Sequence, residues 1–152
     1  MRILLLTIVS GVTALTAIAQ PFRPPEPPGL PSPQQAYKQL LTVRSFAFGG
    51  VTYAGVTSEG EVAYRAIACS TNPVVLFSAV FTNGNAQAKL YALCGIRQFA
   101  PAKFDSYADS LRTANPKVET MQGCLIHHEL AMKVISRVSQ GSYDPYLKNA
   151  WR

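Results

Sequence analysis

Acidic side chains are scarce in this chain of 152 residues: 8 Asp and Glu stand against 14 Lys and Arg. Histidine is scarcer still at two, and there are three Cys and one Trp. Each shortage excludes something. The two histidines are adjacent, at His127 and His128, so no second Cys/His pair exists to complete a four-ligand structural zinc site. No G-x-S-x-G nucleophile elbow occurs, and Phe48-Gly49-Gly50-Val51 lacks the lysine and hydroxyl of a phosphate-binding loop. The bases are scattered singly, as at Arg65, Lys89, Arg97, Arg112, Lys133 and Arg137. With no Lys/Arg-rich run, the excess positive charge reads as a solvated surface and argues against a nucleic-acid partner. Only residues 3–18 form a long apolar run, and Gly11, Thr13 and Thr16 dilute it. A membrane span needs about 20 apolar residues, so no span is expected once this run is removed.

That run has a different reading. Arg2 precedes it, no charge interrupts it, and Ala17-Ile18-Ala19 closes it with small residues at the two positions a signal peptidase inspects. A cleaved leader over residues 1–19 is expected, with a secreted or periplasmic mature chain starting at Gln20. Cleavage removes one base, Arg2, and lowers the net charge from +6 to +5. Proline then dominates, filling seven of the thirteen positions from Pro21 to Pro33. Proline fixes φ and supplies no N–H donor, so residues 20–33 read as an extended linker.

From Gln34 onward one mostly helical domain is expected, running to residue 152. Residues 34–44 suit a first helix. Residues 46–60 are rich in Gly, with Phe46, Phe48, Val51, Tyr53 and Val56 mostly alternating, the pattern of a loop or small hairpin. Ser58 with Glu61 forms a capping box for a helix to about Ala68. Asn72-Pro73 restarts the chain into a helix over 74–81, which Asn83-Gly84 stops. Residues 86–99 are apolar on most sides and belong inside. Phe104, Tyr107, Ala108 and Leu111 line one face of the next helix, which ends at Asn115-Pro116. Residues 118–126 carry no cap and read as extended. A last helix is expected over 129–140, burying Leu130, Val134, Ile135 and Val138, with Tyr143, Tyr146, Leu147 and Trp151 as clasps over the core.

Helices of this length joined by three- to five-residue turns pack as antiparallel hairpins, in an irregular bundle or otherwise. The order over residues 58–114 resembles a HEAT-type helical-hairpin array, without a strict repeat period. The block LYALCGIRQFAPAKF, followed by MQGCLI, is similar to small uncharacterised exported bacterial proteins. That resemblance implies export and carries over no functional residue.

Two clusters can carry chemistry. Among Cys69, Cys94 and Cys124, the apolar neighbours of Cys94 and Cys124 favour a bridge between them in an oxidising compartment. All three thiols reduced is the alternative. Cys124, His127, His128 and Glu129 form the one group of metal-capable residues, and if helical, Cys124 and His128 share a face. A thiolate ligand and the disulfide compete for Cys124. Glu59, Glu61 and Glu129 lie near helix starts, where capping accounts for them better than acid–base catalysis. No catalytic residue and no cofactor is therefore assigned. The expected function is a non-catalytic exported helical module that binds another envelope protein or serves as an accessory subunit in the cell envelope. The alternative is a small secreted enzyme or metal-binding protein using Cys124, His127, His128 and Glu129.

Overall fold

A computed structural model describes residues 29–148, so the expected leader, most of the proline stretch and Trp151 lie outside the described residues. Within them the protein is mainly helical, with two small antiparallel sheets. Helix α1 (Pro33–Leu41) begins one residue earlier than expected and opens at a capping box. The Ser32 hydroxyl accepts from the Gln35 N–H at 3.3 Å while the Gln35 side chain accepts from the Ser32 N–H at 3.0 Å. The helix buries Ala36 and Leu40 and stops three residues short of Arg44. Strands β1 (Gly50–Val51) and β2 (Val56–Thr57) then form the small hairpin expected in the glycine-rich stretch.

Helix α2 (Glu59–Ala68) starts at Ser58, whose hydroxyl accepts the Glu61 N–H at 3.1 Å. The reciprocal half of that capping box is not made. Glu61, almost fully buried, turns its carboxylate to the Gly49 N–H at 2.7 Å and to Arg65 at 2.5 Å. A buried carboxylate needs charge-assisted partners, and these two meet that need better than the helix's own cap. Helix α3 (Pro73–Asn83) and helix α4 (Ala86–Phe99) are joined only by Gly84 and Asn85, and the Asn85 side chain caps α4 through the Ala88 N–H.

Helix α4 is the centre of the molecule. Every residue from Leu90 to Ile96 is buried, as an all-round apolar helix requires. Its Gly95 leaves room for the Phe77 ring, since a Cβ there would sit 2.3 Å from it. A 3-10 turn over Pro101–Lys103 leads into α5 (Phe104–Ala114), which buries Phe104, Ala108 and Leu111 and ends at Asn115 in the left-handed region.

The chain next forms a second hairpin, β3 (Lys117–Gln122) with β4 (Leu125–Leu130). The stretch 118–126, expected to be extended, spans most of β3, the turn and the first two residues of β4. The final long helix, α6 (Ala131–Ser139), begins two residues later than expected because Glu129 and Leu130 belong to β4. Leu130 is correspondingly exposed and not a core residue, whereas Val134, Ile135 and Val138 are buried. Helix α7 (Asp144–Lys148) closes the described chain and buries Leu147.

Candidate functional site

The second hairpin positions every metal-capable residue singled out by the sequence: Cys124, His127, His128 and Glu129. Its turn contains only Gly123 and Cys124, with Gly123 at φ +56°, so Gln122 pairs with Leu125, Thr120 with His127 and Val118 with Glu129. A side chain alternates faces along a strand. Val118 and Thr120 therefore point to the core with Glu129, and both are buried, while Ile126, His128 and Leu130 face away. The other side of β3 is also taken. The Phe46 N–H donates to the Glu119 carbonyl at 2.8 Å, and the Met121 N–H donates to the Phe46 carbonyl at 3.0 Å. At the tip, the Thr52 N–H donates to the Gly123 carbonyl at 3.0 Å and joins the two hairpins.

The Phe46–Phe48 stretch that flanks β3 is itself clamped. The Tyr91 hydroxyl donates to the Ala47 carbonyl at 2.7 Å and accepts the Ala47 N–H at 2.9 Å, while Ser58 donates to the same carbonyl at 2.8 Å. Burial pushes the Tyr91 hydroxyl well above the usual phenol range, so it acts as a fixed neutral donor and acceptor. Gly60 lets it approach, because a Cβ there would lie 2.4 Å from the Tyr91 oxygen.

Between this stretch, the hairpin and the chain end lies a cavity of about 490 Å³, lined by aromatic Phe46, Phe48, Tyr143 and Tyr146 and by Thr120, His127, Glu129 and Arg137. Glu129 is the hub of its polar wall. Both its oxygens engage the Arg137 guanidinium, with Nη1 to Oε2 at 2.9 Å, and Thr120 donates to Oε1 at 2.8 Å. Arg137 also donates from Nε to the Tyr143 hydroxyl at 3.2 Å. The bond from Arg137 holds the Glu129 carboxyl below its ordinary range, and the same bond raises Arg137 further. Burial raises the Tyr143 hydroxyl, against the opposing effect of Arg137. This wall is a satisfied ion pair tying β4 to α6 and to the chain end.

The residues singled out by sequence are distributed, not gathered. Cys94 is fully buried in α4 and Cys124 is exposed at the hairpin turn; both are free thiols, and the structure does not bring the expected disulfide pair together. Cys124 and His128 do not share a helix face, because the segment is a turn and a strand. His127 and His128 alternate faces, and Glu129 is occupied by Arg137. Among the described residues no three His, Cys, Asp or Glu side chains converge on a metal position. Sequence reasoning placed Arg137 among scattered surface charges and did not single out Thr120. The alternating K-V-E-T-M-Q followed by Gly123 is the signal that could have revealed the hairpin and so the pair.

The tip offers a different surface. Tyr53 is fully exposed, Leu125 65% exposed and Val56 52% exposed, all close to the Thr52–Gly123 joint. Among the described residues no helix is long and apolar enough to cross a membrane. Comparison with family models, curated proteins and solved structures finds no match to this chain.

Proposed function

We propose that this chain is a non-catalytic exported module that binds another envelope protein through its joined hairpin tips. The observation that carries the reading is the exposure of Tyr53, Val56 and Leu125 around the joint of the two hairpins. Large apolar side chains exposed around one joint, on an otherwise well-packed small domain, suit an interaction site. Aromatic side chains such as Tyr53 are favoured anchors because they bring large area with few rotors to freeze. Export is supported by the leader pattern of residues 1–19 and the Ala17-Ile18-Ala19 ending. The metal-binding or enzymatic reading of Cys124, His127, His128 and Glu129 has less support, since Glu129 is already engaged by Arg137 and Thr120.

A photoreactive phenylalanine analogue at Tyr53, expressed in the native envelope, tests the reading. One discrete adduct to a second protein is expected from Tyr53 and none from the same probe at exposed Thr113 on α5. Leu125→Lys should abolish the adduct. No adduct from Tyr53, or the same adducts from both positions, overturns the reading.

A further inference from the structure

The outer edge of β4 is an unused strand edge whose orientation the hairpin register dictates. In an antiparallel pair, residues alternate between aiming their backbone groups at the partner strand and aiming them away. A two-residue turn makes Gln122–Leu125 a hydrogen-bonded pair, and with it Thr120–His127 and Val118–Glu129. The intervening residues must aim outward. On β3 this is observed directly, since the Glu119 carbonyl and the Met121 N–H are the groups that meet Phe46. On β4 the outward residues are Ile126, His128 and Leu130, and no described residue pairs with the backbone of Ile126 or His128 along that edge.

Natural edges of this length are blunted by lysine, proline or a bulge. Leu125–Leu130 contains no lysine and no proline, it runs unbulged for six residues, and all of it except Glu129 is exposed.

We propose that this edge pairs with the same edge of a second copy, antiparallel, about a two-fold axis at His128. This goes beyond the tip-binding reading, which rests on the side chains of Tyr53, Val56 and Leu125 and not on the backbone edge from Ile126 to Leu130. The parity of the edge allows only registers in which outward residues meet outward residues. With the axis at His128, the two His128 residues exchange both backbone bonds, and each Leu130 N–H reaches the Ile126 carbonyl of the other copy. The side chains then match. Ile126, 55% exposed, lies beside Leu130 of the other copy, 41% exposed, so each apolar residue covers its counterpart. On the other face His127 stands opposite Glu129 of the other copy, an imidazole against a carboxylate. Glu129 Oε2 accepts only one bond, from Arg137, and so retains capacity for a further donor. The register with the axis at His127 would instead oppose His127 to itself and Leu125 to Glu129, losing both matches. The isologous contact closes on itself and ends the assembly at two chains.

Sedimentation of the mature chain, residues 20–152, is expected to show a concentration-dependent dimer. Ile126→Lys, an exposed change that leaves the β3 bonds intact, should raise the dimer dissociation constant by about tenfold or more. The register is read by thiol pairing in a Cys124→Ser background with oxidised glutathione. His128→Cys should yield a linked dimer, whereas His127→Cys should not. Overturning results are a monomer at every concentration accessible to sedimentation, an Ile126→Lys chain that dimerises as well as the parent, or self-linkage through position 127 instead of 128. The Tyr53 adduct is scored separately by mass, so either proposal can fail while the other stands.

Discussion

Cys94 and Cys124 share a side chain and nothing else. Cys94 is fully buried in the central helix, and loss of hydration there pushes its thiol far above the ordinary range, leaving no reactive thiolate. Cys124 sits in a two-residue turn facing water. An alkylating reagent applied to the native, unreduced protein is therefore expected to modify Cys124 promptly and Cys94 only after denaturant is added. Peptide mapping by mass spectrometry checks this, and recovery of a linked Cys94–Cys124 peptide would contradict it. Neighbouring residues in the sequence could not separate the two, because both lie next to leucine and isoleucine. What differs is how many elements surround each, and that is a property of packing. Gly60 and Gly95 make the same point: each is open to a phenol or phenyl ring from another helix, a demand invisible from its own helix.

Among the elements, the β3–β4 hairpin departs most from sequence expectation. The extended character of 118–126 is legible, but the turn within it is not, and Glu129 and Leu130 read as the start of a helix. Leu-Ile-His-His-Glu-Leu has no strict alternation, and Glu129 followed by Val134, Ile135 and Val138 continues a helical pattern backwards into it. Tertiary contact decides otherwise, since Glu129 as a strand residue reaches both Thr120 and Arg137. The pair also sets an acid response. The folded-state carboxyl of Glu129 is depressed, chiefly by its bond from Arg137, below an unfolded value of about 4.3. Its contribution is thus complete above that value and is lost as the pH falls through the folded value. Glu129→Gln is expected to lower the urea midpoint at neutral pH and to flatten the acid limb of stability. The two proteins should converge at low pH, and parallel curves across the whole range would show that the pair contributes nothing.

At the scale of the whole molecule, the segment after α6 ties the Phe46–Phe48 stretch to α4. Leu147 is buried, Asp144 pairs with Arg97 of α4, and Tyr143 packs edge-on against Phe46 at 5.1 Å between ring centres. Truncation after Gly141 removes all of these and exposes Phe46 and Phe48. Burial of one leucine and two aromatic contacts together predict a loss of about 3 kcal/mol or more, read from urea unfolding. A truncated chain as stable as the parent would show that the clasp is incidental. The sequence by itself determined the helical class and most helix limits, because caps, prolines and 3.6-residue periodicity act within a few residues of the positions they control. It determined the central place of α4, because a helix apolar on all sides can only be surrounded. Only the tertiary structure decided that Glu61 and Glu129 bind across elements and do not cap helices, that two hairpin tips meet at Gly123, and that one strand edge is left open. Each of these depends on which distant backbone or guanidinium arrives alongside, and local sequence energetics do not encode that arrival.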